Sequence, residues 1–325
     1  MNEILALAGA NLLSPIILSF ALGVAAALAR SDLAVPEAVA KGMSIYLLFA
    51  IGFKGGVAVS AHGVDTTLVL SLVAGLVLSF GLPLIAFALL RIMTGLNNTD
   101  AAAVAAHYGS ISIVTFVAGT SILEGRMIES EGYLVAVAAV MEAPAILSAL
   151  WLIARGGGGT RMEPELMREI LLNGSIVLLV GAFAIGAITG EKGLAEISSF
   201  IVSPFKGVLC LFLLDMGLIA GRGLRSMRGV LGMGAIAFAI VMPLIGSVIG
   251  MGFGILIGLS LGGIVLLMIL SASASYIAVP AAMRVALPEA NPSIYLTLSL
   301  GVTFPFNLTL GIPLYLALAQ FVTGV

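Results

Sequence analysis

The stretch Ser271-Ala272-Ser273-Ala274-Ser275-Tyr276-Ile277-Ala278-Val279-Pro280 lies in the middle of an otherwise apolar run, 260–284. Such a run can cross a bilayer, which takes about 20 mainly apolar residues. Three hydroxyls on alternate residues, followed closely by a proline, predict that the helix breaks at its centre. A break frees backbone N–H and C=O groups that lipid cannot satisfy. The N-terminus of a half-helix presents such N–H donors and the positive end of its dipole, which suits an anion. Freed carbonyls and serine hydroxyls suit a hard cation such as sodium. A second tract of the same kind, His107-Tyr108-Gly109-Ser110-Ile111-Ser112-Ile113-Val114-Thr115-Phe116, lies inside the run 100–123. Small residues also let helices pack closely, and Pro280 alone would fit an ordinary kink. Two such tracts at matching positions point instead to a binding site where interrupted helices meet near the midplane of a secondary transporter.

The rest of the chain has the composition this requires. Hydrophobic residues make up 61% and charged residues only 9%, against about a quarter charged in a soluble domain. With a mean hydropathy of +1.22, a soluble core is excluded. A net charge of −2 excludes a strongly basic nucleic-acid surface. The single Cys210 excludes a disulfide framework or a multi-cysteine metal site, and His62 and His107 are too far apart to suggest a metal centre. Residues 1–12 carry Glu3 and no Lys or Arg, so no cleavable signal peptide is expected.

The apolar runs predict ten spans, at 13–29, 36–59, 66–91, 100–123, 133–154, 169–189, 198–220, 230–251, 260–284 and 293–321. They are far too long for the strands of a β-barrel, which take about 10 alternating residues. Loops after odd-numbered spans, with their flanks, hold ten of the fourteen Lys and Arg residues. The positive-inside rule therefore places those loops in the cytoplasm and both termini outside, in a bacterial inner membrane.

Five spans per half is an odd number, so a repeated half must insert upside down. Leu48-Phe49-Ala50-Ile51-Gly52-Phe53-Lys54-Gly55-Gly56 parallels Leu213-Leu214-Asp215-Met216-Gly217-Leu218-Ile219-Ala220-Gly221 at an offset of 165. Ser110-Ile111-Ser112 parallels Ser271-Ala272-Ser273 at 161, and Pro144 parallels Pro305 at the same offset. The predicted fold is thus an all-α polytopic membrane protein. Its ten transmembrane helices form two inverted five-helix repeats, with helices four and nine broken and crossing. Residues 1–155 form the first repeat, 156–168 a cytoplasmic linker, and 169–325 the second.

Intramembrane charges are costly and often functional. Glu142, two residues before Pro144, is a candidate for coupling or for steadying the broken helices, and Asp215 for a structural role. Lys54 and Arg284 lie near span ends, where snorkelling accounts for them. His107 is a candidate proton relay or a packing histidine. An enzyme would need a Ser–His pair or two Asp residues at one depth. His107 and Ser110 lack a Gly-x-Ser-x-Gly context and Asp215 is single, so an enzyme is not expected. No cofactor is expected beyond sodium as coupling ion. A sodium/proton antiporter would need titratable groups at the helix crossing, and the serine tracts contain none.

At these residues the chain resembles the sodium-dependent bicarbonate transporter family, the SbtA-type permeases known best from cyanobacteria. The resemblance is carried by Ile51-Gly52-Phe53-Lys54-Gly55-Gly56, by Gly109 to Phe116, by Met141-Glu142-Ala143-Pro144, and by the run from Ser271 to Ser293 that ends Arg284-Val285-Ala286-Leu287-Pro288-Glu289-Ala290-Asn291-Pro292-Ser293. It implies symport of bicarbonate with sodium by a core domain moving against a gate domain, in a homotrimer within the lipid bilayer. It also implies a PII-like regulatory partner on the cytoplasmic face. Carried onto this chain, the anion would be held by Gly109, Ser110, Ser112, Ser271, Ser273, Ser275 and Tyr276, and sodium by Ser112, Thr115, Phe116 and Ser273. The chain departs from the family in having Tyr276 where cyanobacterial members have an acidic residue. Ile113-Val114 replaces a glycine and serine, and the segment 156–168 is shorter. Loss of a carboxylate at Tyr276 leaves room for another small or organic anion as substrate.

Overall fold

A computed structural model gives the fold of residues 13–63, 65–155, 168, 172, 174–226, 232–276 and 278–324. The predicted linker 156–168 lies, apart from Arg168, outside these residues. Of the described residues 84% are helical and none lies in a strand. The helices are α1 (Pro15–Leu28), α2 (Glu37–His62), α3 (Thr66–Met93), α4 (Asn98–Gly109), α5 (Ile113–Gly125), α6 (Leu134–Val140) and α7 (Glu142–Arg155). There follow α8 (Gly174–Ile201), α9 (Phe205–Ser226), α10 (Met233–Ile257), α11 (Leu261–Ala272) and α12 (Ala278–Ala286). A last helical element, α13 (Pro292–Thr323), contains two π-helical segments, Thr297–Thr303 and Asn307–Gly311.

Eight helical stretches among the described residues are long and apolar enough to cross a membrane, while α1 and α11 are apolar but shorter. Each predicted span overlaps one or two of these elements; residues 169–171 and 173 of the sixth and 230–231 of the eighth lie outside the described residues. The runs 100–123 and 260–284, read as broken, lie over α4 and α5 and over α11 and α12. Two details differ from expectation. The span 133–154 is interrupted at Met141, between α6 and α7. The predicted break at Glu191-Lys192-Gly193 is not an open loop. The chain reverses at Gly190, whose φ of 59° is left-handed and favours glycine, and stays helical to Ile201. This return segment lies back along α2, where the Tyr46 hydroxyl donates to the Phe200 carbonyl at 2.6 Å. The seventh span accordingly begins at Phe205 rather than 198.

The helices pack as two groups. In the first, α2 lies along α8 and α1 along α9. Glycines set these contacts: Gly56 lies against the backbone at Phe183, and Gly217 against the backbone at Phe20. A side chain at either point would collide with main chain, so close approach requires glycine there. In the second group α3 packs on α4, α10 on α11, α7 on α3 and α4, and α13 on α11. The shorter helices α4, α5 and α11 lie inside this second group, with Ala101 to Ala106 and Val265 to Ile269 completely or almost completely buried. A helix apolar on every face belongs in such an interior.

Candidate functional site

The two serine tracts meet. After Gly109 the chain leaves helical geometry, with Ser110 and Ser112 extended at φ −85° and −103°, before α5 begins at Ile113. Ser112 caps α5: its Oγ accepts from the Thr115 N–H at 3.2 Å, as an N-cap hydroxyl does. The Thr115 hydroxyl donates to the same oxygen at 2.9 Å. After Ala272 the chain again becomes extended at Ser273. At the start of α12, the Val279 N–H reaches the Ser275 hydroxyl at 3.4 Å.

Two hydrogen bonds join the interruptions across 161 and 168 residues of sequence. The Ser112 N–H donates to Ser273 Oγ at 2.9 Å, and that hydroxyl passes its own proton to the Leu270 carbonyl at 3.0 Å. The Ser275 N–H donates to the His107 carbonyl, one of the groups freed at the end of α4, at 2.7 Å. Both half-helix N-termini, at Ile113 and Ala278, therefore open from one hydrogen-bonded junction. All the serines in it are at least 96% buried. Two of the serine hydroxyls in these tracts, those of Ser110 and Ser271, have no hydrogen-bond partner among the described residues. An unmatched buried hydroxyl costs about 1–3 kcal/mol, so these two are free to serve a ligand.

Of the sequence-derived residues, hydrogen bonds bring together Ser112, Thr115, Ser273 and Ser275; Gly109, Ser110, Ser271 and Tyr276 adjoin them along the chain, Gly109 against Ser79 of α3 and Ser271 against Gly250 of α10. The Tyr276 ring meets Phe304 edge-on at 5.1 Å, and Phe304 in turn meets Phe20 of α1 at 5.2 Å. An aromatic contact thus links the junction to the first helix group. The Phe116 N–H bonds the Ser112 carbonyl, and its side chain lines a cavity of about 580 Å³. That cavity lies between α2, α5 and the segment 127–132, and the junction serines do not line it. On its wall Lys54 pairs with Glu124 at 3.6 Å and lies over the Phe205 ring at 5.5 Å.

Glu142 is buried at the start of α7, and its Oε2 has no partner among the described residues. Asp215 is buried on α9, within electrostatic reach of Arg222, away from the junction in the first helix group. His107 is fully buried, with Nδ1 bonded to the Ala103 carbonyl at 2.6 Å and its ring stacked on Tyr295 at 4.4 Å. These contacts fix the ring in place, while its Nε2 has no hydrogen-bond partner among the described residues. Among the described residues no group of His, Cys, Asp and Glu is arranged to hold a metal ion.

Sequence reasoning missed the polar residues of α13. The Asn307 amide donates to the Ala272 carbonyl at the end of α11 at 2.9 Å, and its oxygen accepts from the Tyr315 hydroxyl at 2.7 Å. Thr303 donates to the Ala239 carbonyl at 2.6 Å and is bonded to the Tyr108 hydroxyl at 2.7 Å. An asparagine within an apolar run was the available signal, strengthened by two nearby π-helical segments of the kind that recur at functional sites. No curated protein matches the chain. The sequence profile of the Na+-dependent bicarbonate transporter superfamily matches residues 15–320, nearly its whole length. A helical, membrane-crossing chain whose serine tracts meet at one buried junction is consistent with that match, and the protein belongs to the Na+-dependent bicarbonate transporter superfamily.

Proposed function

We propose that this protein takes up bicarbonate by symport with sodium, and that the two half-helix N-termini at Ile113 and Ala278 hold the anion between them. The observation that carries this reading is the junction itself, where the Ser112 N–H meets Ser273 and the Ser275 N–H meets His107. The hydroxyls of Ser110 and Ser271 are spare donors for the anion. Ser112, Thr115 and Ser273, with nearby backbone carbonyls, supply oxygens for sodium. The cation offsets the anion's charge, so only the doubly loaded protein avoids carrying an unpaired charge through the apolar barrier.

The reading extends to two inverted five-helix repeats, 1–155 and 169–325, with helices four and nine broken and crossing. The packing supports it: an inversion that exchanges the halves turns the α1–α9 contact into the α8–α2 contact, and α3–α4 into α10–α11. The group α1, α2, α8 and α9 would act as gate, with the remainder as moving core. With the positively charged loops in the cytoplasm of a bacterial inner membrane and both termini outside, the 580 Å³ cavity faces outward. The family resemblance adds a homotrimer and a PII-like partner on the cytoplasmic face.

The test is uptake of radiolabelled bicarbonate into proteoliposomes with and without an inward sodium gradient. Sodium-dependent uptake is expected; its absence in folded protein overturns the substrate. Ser112→Ala and Ser273→Ala should each remove about 1–1.5 kcal/mol of sodium affinity, raising half-saturating sodium roughly five- to tenfold. A second reading, sodium-coupled transport of another small or organic anion, is favoured by Tyr276 and Phe304, which put an aromatic surface at the junction. Competition of the uptake by acetate or pyruvate separates the two. For sodium/proton antiport, Glu142→Gln would abolish proton movement.

A further inference from the structure

We infer that Glu142 and Ser110 form a second cation subsite, for sodium, separate from the Ser112–Thr115–Ser273 cluster; the inference rests on the sodium-coupled reading above. Glu142 is only 6% exposed, and its Oε2 has no partner. A carboxylate buried in an apolar interior needs a compensating charge or hydrogen bonds. The cations on helices packed against α7 are engaged elsewhere. On α3, Arg91 donates to the Leu96 carbonyl. On α4, Asp100 accepts from Asn97 and Asn291, while His107 is held at Nδ1 by Ala103 and stacked on Tyr295 with its Nε2 unpartnered. On α12, Arg284 lies within electrostatic reach of Tyr295, and α6 has no charged residue.

Ser79 locates the subsite. Its hydroxyl donates to the Met141 carbonyl at 2.6 Å, while its backbone carbonyl lies against Gly109. Glu142 and Ser110 are the residues that follow Met141 and Gly109, so one residue of α3, through its hydroxyl and its carbonyl, brings the two chain segments to the same neighbourhood. Ser110 is 1% exposed and its hydroxyl, like Glu142 Oε2, is unpartnered. Carboxylate and hydroxyl oxygens are the hard donors a small alkali cation takes. A serine can offer a lone pair to the cation and still give its proton to the anion, which would tie the two cargoes together.

The opposite half lacks this opening. At the 161-residue offset Thr303 stands where Glu142 does, and its hydroxyl is engaged by Ala239 and Tyr108. The subsite therefore belongs to the first half alone.

The experiment is equilibrium binding of radioactive sodium to purified wild-type protein, Glu142→Gln, Ser110→Ala and the Ser112→Ala/Ser273→Ala double variant, with potassium and choline as competitors. Wild type should bind two sodium ions per chain. Glu142→Gln should bind one and need at least tenfold more sodium for half-maximal uptake, Ser110→Ala should weaken the same ion about fivefold, and the double variant should lose the other. Glu142→Asp, with an unchanged melting temperature, should restore the second ion. If Glu142→Gln fails to fold, the Ser110→Ala result decides on the same criterion. Unchanged sodium stoichiometry and affinity in these variants overturns the subsite, as does loss of proton movement with both sodium ions retained. A wild type that binds one ion, lost only in the double variant, overturns the subsite and leaves the symport reading standing. A wild type that binds none overturns both.

Discussion

In the two-repeat reading proposed above, the end of α6 and the middle of α13 are equivalent places, yet they treat their polar groups in opposite ways. Around Thr303 and Asn307 every polar side-chain partner is supplied from within the protein: Ala239, Tyr108, Ala272 and Tyr315. Around Met141, Ser79 donates to the backbone carbonyl, and Glu142 keeps an oxygen that is unpartnered among the described residues. On that reading the two places have diverged, one towards a self-satisfied scaffold and the other towards a site that leaves oxygen free. Buried polar groups are nearly always paired, so the unpaired oxygen of Glu142 marks a place where a ligand fits.

The largest effect that can test the equivalence comes from the helix crossings. Gly56→Leu and Gly217→Leu each push a side chain into a neighbouring backbone, and each should cost about 3 kcal/mol or more by overpacking. Loss of folded protein, followed by unfolding in detergent, is expected for both. A half that tolerates its leucine would break the equivalence of the two contacts.

A smaller effect probes the scaffold. Asn307→Ala strands both the Ala272 carbonyl and the Tyr315 hydroxyl, whereas Ser79→Ala strands only the Met141 carbonyl. At about 1 kcal/mol for each bond, or nearer 0.6 for polar contacts between membrane helices, Asn307→Ala should destabilise about twice as much. Equal losses in a denaturant titration would show that the second half is not the more self-satisfied.

The smallest effect concerns the cavity. Lys54–Glu124 joins the two helix groups, and both side chains are more than a third exposed. At the 165- and 161-residue offsets their counterparts are Ile219 and Val285, so no such pair exists in the other half. Lys54→Gln should cost only about 0.2–1 kcal/mol. Adding Glu124→Gln should cost little more, and high salt should narrow the difference from wild type. A large additive loss would mean the two residues act separately.

Much of the site was legible because its signals are local. Ser110-Ile111-Ser112 and Ser271 to Pro280 announce interruptions through hydroxyls, small residues and proline, and the structure has extended backbone at both. The return of the chain after Gly190 was not legible, since Glu191-Lys192-Gly193 reads as a loop whether or not a helix follows. Thr303 and Asn307 were missed because an apolar context disguises single polar residues, whose importance depends on carbonyls up to 64 residues away.

The sequence by itself determined the membrane class, the position of each apolar segment and the places where helices stop, because hydropathy and helix breaking are properties of neighbouring residues. Only the tertiary structure decided which freed groups find partners. Ser112 meets Ser273, Ser275 meets His107 and Asn307 meets Ala272, while Glu142, Ser110 and Ser271 are left with oxygens to offer. Hydrogen-bond satisfaction is settled by what arrives from a distant part of the chain, and no local pattern contains it.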